Sequence, residues 1–305
     1  MEKILSAIDI GTNSTRLLTL KLSDNGVYKV LTKGSTITRL GRNVDASGLL
    51  GHEQMVETAE VIANYVVEAK KNGSDYIAAI ATSAVRDAAN KEAFIDIVKE
   101  IAGIEIEIIA GAHEAALSYD GAMLGQKDIA GIVVFDIGGG STEIIADKQN
   151  VVSLNVGAVR MTERFLQQEP PDVLSRQQVY QYVWTQLAAM SLAALKPTGA
   201  IGVGGTVTTY AAMALEMEIY DSSAVHGYKL DKKKLKQLVE QLSEMNKADR
   251  MLVKGLQPKR ADIIIAGGII LSALLDYFEL DSVMASETDI LYGIINENIS
   301  GNGGL

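Results

Sequence analysis

The apolar positions of the chain follow two patterns, one typical of strands and one of helices. Short, predominantly apolar segments of the length expected for buried strands occupy residues 4–8, 76–81, 104–109, 132–135 and 200–203. Segments with apolar residues three or four positions apart, the spacing of an amphipathic helix, occupy residues 53–71, 91–101, 176–195 and 232–245. A further helix opens near Ala112. Strands that alternate with helices predict an α/β fold.

Two other segments are interpreted as a strand followed by a glycine turn and a helix. They are residues 200–203 before Gly204-Gly205-Thr206, and residues 262–266 before Gly267-Gly268. A helix that starts in this way presents free backbone N–H groups to an anion. The longest apolar run, residues 263–275, has 13 residues, whereas a membrane helix needs about 20. We therefore expect no membrane segment.

Composition limits the classes of protein that fit. With 305 residues, of which 48% are hydrophobic and 22% charged, the chain can bury the cores of two domains. The polar stretch 125–128 predicts domains 1–125 and 126–305, with a C-terminal helix at about 289–305 that can pack back on the first. The net charge of −10 disfavours binding to a nucleic-acid duplex.

The absence of cysteine and of a leader sequence bears on location. Without cysteine there is neither a disulfide framework nor a thiolate metal site, which fits a reducing compartment. The N-terminus lacks the basic region and long apolar segment of a signal peptide. We expect a cytoplasmic protein, and the sequence leaves a homodimer open.

One short segment occurs twice. Asp9-Ile10-Gly11-Thr12-Asn13-Ser14-Thr15 and Asp136-Ile137-Gly138-Gly139-Gly140-Ser141-Thr142 agree at five of seven positions. Strand-like runs precede both segments and follow both, at residues 17–22 and 143–145, so each segment predicts a hairpin turn. In a P-loop or a dinucleotide fingerprint the glycines lead into a helix, and neither full motif is present.

The repeated hairpins carry groups suited to phosphate and a cation. Backbone and side-chain donors come from Asn13, Ser14 and Thr15 in the first, and from Gly138, Gly139, Gly140, Ser141 and Thr142 in the second. Each segment opens with an aspartate, and Mg²⁺ (or Mn²⁺) needs only one or two carboxylates because it keeps several waters. Asp9 and Asp136 are the candidate metal ligands.

Acids and arginines outside the hairpins complete the set of candidates. Glu114 lies in the first turn of a predicted helix. Its position supports two roles equally: a base that activates water, or a carboxylate that is stabilised there only by the helix dipole. Glu143 follows the second hairpin and is suited to orienting water or metal. Three arginines at the ends of predicted elements suggest a polyanion track: Arg16, Arg86 and Arg260.

Taken in order, these motifs resemble the exopolyphosphatase/guanosine pentaphosphate phosphohydrolase family of the actin-like ATPase superfamily. The resemblance rests on both hairpins and on Ala81-Thr82-Ser83-Ala84-Val85-Arg86, Gly111-Ala112-His113-Glu114-Ala115, Gly202-Val203-Gly204-Gly205-Thr206, Val225-His226-Gly227 and Pro258-Lys259-Arg260-Ala261-Asp262. It implies two ribonuclease-H-like domains with the active site in the cleft between them. It also implies that Glu114 is the water-activating base, that Asp136 and Glu143 are catalytic or metal-linked acids, and that the glycine loops cradle phosphate.

Two features depart from the family pattern. Longer members carry a further C-terminal helical domain, so we expect a short form with less polymer-binding surface. The segment 286–293, Ser-Glu-Thr-Asp-Ile-Leu-Tyr-Gly, lacks the arginine of the family's Ser-Asp…Gly…Arg-Glu-Gly pattern. The role of segment 286–293 in this chain is therefore open.

Several functions remain in competition. We expect hydrolysis of the terminal phosphate of inorganic polyphosphate, with guanosine pentaphosphate 5′-phosphohydrolase activity as the alternative. A small-molecule kinase on the same fold would need a sugar or acetate site and an adenosine pocket, and the sequence identifies neither. A non-catalytic actin-like protein would tolerate loss of Glu114, which is present here.

Overall fold

The chain divides into two compact units. The computed structural model describes residues 3–23, 28–125, 131–147, 150–190, 192 and 195–301. Unit 1 is Met1–Gly121 together with Ile290–Leu305, and unit 2 is Ala122–Asp289. Residues 126–128 of the predicted junction lie outside the described residues, so the boundary at 125/126 stays a prediction. The same holds for the cleft expected between the domains.

Unit 1 is built on a mixed sheet. In the described part of the chain its five strands run in the order β3-β2-β1-β4-β5. They are β1 (Lys3–Ile10), β2 (Thr15–Leu22), β3 (Tyr28–Thr36), β4 (Tyr76–Ala81) and β5 (Glu107–Ile108). β1, β2 and β3 pair antiparallel, whereas β4 pairs parallel with both β1 and β5. Its helices are α1 (Val44–Ser47), α2 (His52–Lys71), α3 (Ser83–Asp87), α4 (Lys91–Ala102), α5 (Gly111–Ala122) and α13 (Ile290–Gly301).

Unit 2 repeats this plan with one more strand. Among the described residues its six strands run in the order β10-β11-β9-β6-β7-β8. They are β6 (Ile132–Ile137), β7 (Thr142–Ile145), β8 (Val151–Leu154), β9 (Gly199–Val203), β10 (Lys229–Asp231) and β11 (Ser282–Ala285). Its helices are α6 (Ala158–Phe165), α7 (Val173–Ala189), α8 (Gly204–Ala214), α9 (Ser222–Val225), α10 (Lys232–Glu244), α11 (Lys247–Arg250) and α12 (Ile264–Tyr277), with a 3₁₀ turn at Pro258–Arg260.

The two sheets share a core topology. In each, an antiparallel meander of three strands is followed by a strand parallel to the first of them, β4 beside β1 and β9 beside β6. The repeated glycine segments join the first two strands of each meander, as the sequence predicted. We call residues 11–14 loop 1 and residues 138–141 loop 2. The predicted α/β fold with two similar domains is confirmed.

Most predicted helices are present, but two predicted elements are shorter. The strand expected over residues 104–109 is reduced to β5, and the helix expected over 176–195 is α7. Asp172 caps the start of α7 because its side chain accepts a hydrogen bond from Ser175 N at 2.7 Å. The last residue that α7 itself buries in the core is Leu187. Residues 191, 193 and 194 lie outside the described residues.

The strand predicted at residues 262–266 is wrong. Residues 264–266 open α12, and Gly267 and Gly268 lie inside that helix. A continuous apolar run suits a buried strand and a buried helix equally well, so periodicity does not separate the two. The glycines serve close helix packing: a Cβ on Gly267 would lie 2.8 Å from Thr206 Oγ1, and one on Gly268 would lie 2.1 Å from Tyr210 Oη. In the described part of the chain, no helix combines the length and apolarity needed to cross a membrane.

Substitution of Gly268 by alanine should destabilise the protein. Within a helix, alanine normally gains stability over glycine, by about 0.5–1 kcal/mol. Here the added methyl group would overlap Tyr210 Oη and Val239 Cγ2, so we expect a loss of roughly 1–3 kcal/mol. Chemical denaturation of Gly268→Ala measures it. A midpoint at or above that of the wild type would show that α12 has room at this position.

Candidate functional site

Loop 1 in unit 1 presents an amide group suited to an anion. Gly11 N donates to Ser14 O at 3.0 Å, which closes the turn. Thr12 Oγ1 shares a hydrogen bond of 2.8 Å with Ser83 Oγ, which ties the loop to the start of α3. Asn13 Nδ2 is buried and has no hydrogen-bond partner among the described residues. A buried donor without an acceptor is costly, and an anion bound at the loop would satisfy it.

Asp9 and Arg16 face each other across β1 and β2 and form an ion pair. Arg16 Nη2 and Nε donate to Asp9 Oδ2 at 2.6 and 3.0 Å. Directly opposed residues of an antiparallel pair lie on one face of the sheet, which explains the contact. The charge of Arg16 therefore compensates that of Asp9, which weakens both as partners for a metal or a phosphate.

Glu114 and Arg86 form a second ion pair in unit 1. Glu114 lies in the first turn of α5, as predicted, and is only 7% exposed. Arg86, in α3, donates from Nη1 to Glu114 Oε2 at 2.8 Å and to Ile109 O at 3.1 Å. α3 follows β4 and α5 follows β5, so both residues lie at the carboxyl edge of the parallel strands, where α/β proteins place their sites. This edge also carries loop 1.

Asp136 and Glu143 occupy in unit 2 the positions that Asp9 and Arg16 occupy in unit 1. They are opposed across β6 and β7, so their carboxylates share one face of the sheet. Glu143 is buried, and its Oε1 accepts a hydrogen bond from Ser153 Oγ at 2.8 Å. Where unit 1 pairs an acid with a base, unit 2 places two acids together. That arrangement favours a cation at Asp136 and Glu143 over one at Asp9.

The start of α8 lies beside Asp136 and carries the predicted residues Gly204, Gly205 and Thr206. A Cβ on Gly204 would lie 2.9 Å from Asp136 Oδ1. The guanidinium of Arg260 lies against Gly205, where a Cβ would be 2.2 Å from Nη1, and Arg260 Nε donates to Gln257 Oε1 at 3.0 Å. The predicted arginine and the predicted helix start therefore come together.

A tyrosine extends this group of residues. Tyr220 donates a hydrogen bond to Glu287 Oε1. Partial burial raises the pKa of the Tyr220 hydroxyl, and the charge of Glu287 raises it further. Tyr220 is 50% exposed.

Thr15 and Thr142, which directly follow the two loops, form hydrogen bonds through their side chains. Thr15 is fully buried, and its Oγ1 shares a hydrogen bond of 3.2 Å with Thr38 Oγ1. Thr142 is also buried, and its Oγ1 donates to Val156 O at 2.5 Å. Ser14 is partly exposed, whereas Ser141 is buried. A direct contact between either threonine and substrate stays a prediction.

The structure thus gathers the predicted residues into two groups, one in each unit. Unit 1 holds Asp9, Asn13, Ser14, Thr15, Arg16, Arg86 and Glu114. Unit 2 holds Asp136, loop 2, Thr142, Glu143, Gly204, Gly205, Thr206 and Arg260. Arg16 and Arg86 each form an ion pair with an acid, and the arginine track stays a prediction. The sequence places Ser83 in a motif but does not indicate its contact with Thr12. It indicates neither Tyr220 nor the segments that donate to the loop carbonyls, since these contacts join residues far apart in the chain.

Carboxylates suited to a divalent cation are present, but they do not form a complete set of protein ligands. Among the described residues, no three side chains of histidine, cysteine, aspartate or glutamate lie close enough to hold a metal. Mg²⁺ does not require one, because it usually binds one or two carboxylates, several waters and substrate phosphates. Asp136 and Glu143, beside loop 2, fit this donor set.

Comparison with known proteins identifies the family. The model of the Ppx/GppA phosphatase family matches residues 20–300. The chain belongs to this family. The Ppx/GppA match agrees with the resemblance drawn from the motifs, and it makes the protein a phosphoanhydride hydrolase. The Ppx/GppA member of Aquifex aeolicus has a crystal structure that superposes with a TM-score of 0.84, at 27% identity and with complete coverage of both chains.

Three curated relatives of this Ppx/GppA protein differ in length and name. Exopolyphosphatase 2 of Mycobacterium tuberculosis is 33% identical over 95% of this chain and 97% of its own length. The bifunctional 3-dehydroquinate synthase/phosphatase of Fusobacterium nucleatum is 35% identical over 96% of this chain, which spans 46% of that protein. The guanosine-5′-triphosphate,3′-diphosphate pyrophosphatase of Vibrio atlanticus is 25% identical over 97% of this chain and 59% of its own length.

Proposed function

We propose that the protein is an exopolyphosphatase that removes the terminal phosphate of inorganic polyphosphate with a water activated by Glu114. The observation that carries this proposal is the ion pair of buried Glu114 with partly buried Arg86, at the sheet edge that also holds loop 1. A base for water and a set of donors for phosphate are the two things that hydrolysis of a phosphoanhydride needs. The relative named exopolyphosphatase 2, which this chain matches over nearly its full length, supports the substrate.

Each group of residues has a role in this proposal. Glu114 Oε takes a proton from water as the water oxygen bonds to the terminal phosphorus. The phosphoanhydride P–O bond breaks, orthophosphate is released, and the shortened chain leaves with the negative charge on its new terminal oxygen. Arg86 orients Glu114 and compensates its charge. The amide groups of both loops and the guanidinium of Arg260 hold phosphate oxygens.

A divalent cation fits the same scheme. When bound, Mg²⁺ would neutralise phosphate charge, and Asp136 and Glu143 would hold it directly or through water. These two side chains orient the cation's waters in the proposal, and Ser153 fixes Glu143 for that task. Asp9 contributes less because Arg16 already compensates it.

Guanosine pentaphosphate is the alternative substrate. The named activity of the Vibrio atlanticus relative favours it. So does the half-exposed ring of Tyr220, which lies in the electrostatic field of Arg260 and offers an aromatic surface to a base. Polyphosphate needs no such surface, since all its groups are alike.

We expect kcat/KM for polyphosphate to exceed that for guanosine pentaphosphate. A long chain presents identical phosphates to the loop donors and to Arg260, so several positions on one substrate bind equally well. A nucleotide binds in one register only. Phosphate release measured separately with polyphosphate, guanosine pentaphosphate and ATP decides the matter. A higher kcat/KM for the guanosine nucleotide would reverse the assignment, and activity on ATP alone would point to another branch of the fold.

A further inference from the structure

Every backbone carbonyl of loop 2 accepts a hydrogen bond. Gly138 O accepts from Ala158 N at 2.9 Å, and Gly139 O accepts from Val159 N and Arg160 N at 2.9 and 3.1 Å. Gly140 O accepts from the side chain of Arg160, whose Nε lies 2.8 Å away. Ser141 O accepts from Gly138 N within the loop itself at 3.0 Å. The carbonyls of residues 138–140 therefore all point toward the first turn of α6.

The planarity of the peptide bond determines the direction of the N–H groups of loop 2. In a planar trans peptide, the C=O of one residue and the N–H of the next point in opposite directions. Holding the carbonyls of Gly138, Gly139 and Gly140 against α6 therefore directs the N–H groups of residues 139, 140 and 141 away from it. Successive N–H groups that point to one side form a concave site for an anion. An outward carbonyl would instead repel a phosphate oxygen.

The approach of α6 to loop 2 is close and leaves no room for a side chain. A Cβ on Gly157 would lie 2.3 Å from Gly139 O and 2.5 Å from Gly140 N. Such distances do not occur between non-bonded atoms without displacement of the backbone. The segment 157–160 is thus shaped to bind this loop.

Loop 1 is held in a similar way in unit 1, although the sequence of its partner is unrelated. Thr12 O accepts from Gly41 N at 2.8 Å, and Asn13 O accepts from Arg39 N at 3.0 Å. In both units the donors come from the segment that follows the third strand of the meander, β3 or β8. The recurrence of this contact indicates a role tied to the loops. In unit 2 a side chain, that of Arg160, also holds one of the carbonyls.

We propose that Arg160 is a positioning residue for phosphate binding: its Nε–H fixes the Gly140 carbonyl, and so keeps the amide of Ser141 directed at the anion. This inference rests on the proposed function, because it assigns loop 2 to a phosphate of the substrate. Arg160 acts through the loop, by a directed hydrogen bond, and its positive charge alone is not sufficient. Lysine at this position would keep the charge and lose the planar Nε–H donor.

The experiment compares Arg160→Lys and Arg160→Ala with matched changes one turn further along α6. Arg164→Lys and Arg164→Ala are the controls, because Arg164 is exposed and donates to Tyr182 Oη at 3.0 Å, away from the loop. Two quantities are measured: KM for polyphosphate, and the dissociation constant of inorganic triphosphate by calorimetry. We expect both to rise roughly 10- to 100-fold in Arg160→Lys and Arg160→Ala, as for a lost hydrogen bond from a charged donor.

Thermal unfolding and chemical rescue separate positioning from folding. We expect the unfolding midpoints of the Arg160 and Arg164 variants to agree within a few degrees. Methylguanidine, added at millimolar concentration, should restore triphosphate binding to Arg160→Ala, because it supplies the missing N–H donor to Gly140 O. It should leave the Arg164→Ala protein unchanged.

Three results would overturn the inference. In one, Arg160→Lys binds triphosphate as tightly as the wild type; in another, the Arg164 variants lose as much affinity as the Arg160 variants. The third is a wild-type protein that binds no triphosphate. The calorimetric measurement does not depend on turnover. If the wild type bound triphosphate but hydrolysed none of the offered substrates, the proposed function would be wrong. The triphosphate affinities of the variants would still decide the role of Arg160.

Discussion

Glu114→Gln should lower kcat by about 10²-fold or more and leave the fold intact. Removal of a general base typically costs 10²- to 10⁴-fold. Glutamine retains an oxygen that can accept the hydrogen bond now made by Arg86 Nη1 to Glu114 Oε2, but it does not take a proton from water. KM should change much less than kcat, since the loop donors are untouched. Steady-state phosphate release with purified protein gives both quantities.

A glutamate on the same unit provides the control. Glu107 in β5 is exposed, and Glu107→Gln makes the same chemical change outside the site. It should keep wild-type kcat. If Glu114→Gln also turned over at the wild-type rate, the base would have to be another residue, and the Glu114–Arg86 ion pair would be structural. Circular dichroism of both variants checks that the fold is retained.

Asp136→Asn should raise the Mg²⁺ concentration for half-maximal activity roughly 10- to 100-fold. The change removes one of two carboxylates that face each other across β6 and β7, and so reduces the negative charge that attracts a cation. Asp9→Asn should have the smaller effect, because Arg16 already compensates the charge of Asp9. Activity titrated with Mg²⁺ in each variant measures the difference.

The control for this second change is Asp147→Asn. Asp147 is exposed in the turn after β7, where it accepts hydrogen bonds from Asn150. Its Mg²⁺ titration should coincide with that of the wild type. Unchanged titrations for both Asp136→Asn and Asp9→Asn would remove the metal from these positions. A larger shift for Asp9→Asn than for Asp136→Asn would place it in unit 1.

The parts of the fold that the sequence predicts are those determined locally. The two glycine hairpins are predictable because a strand, a turn and a second strand are contiguous, and because the same five residues recur in both. The helix over residues 53–71 is predictable because its apolar residues repeat at helical spacing, and the structure places α2 at His52–Lys71. Glu114 lies in the first turn of α5, where the sequence predicts it, because the helix follows a strand-like segment directly.

What the sequence does not predict depends on contacts between distant residues. The apolar run at 263–275 carries no period, so only packing against Thr206 and Tyr210 decides that it is helical. The pairing of Arg86 with Glu114 joins residues 28 positions apart. Likewise, the binding of loop 2 by α6 uses backbone groups, which leave no mark on residue type except at Gly157, where any side chain would collide.

The last helix completes the first unit. α13 packs against β1 and β2, and a Cβ on its Gly293 would lie 2.0 Å from Leu117 O in α5. Unit 1 is therefore assembled from both ends of the described chain, while unit 2 is continuous in sequence. On the ribosome, the face of β1 and β2 that α13 covers stays open until residues 290–301 have been made. During synthesis, unit 1 therefore begins first, but its fold is completed only after unit 2 has been made.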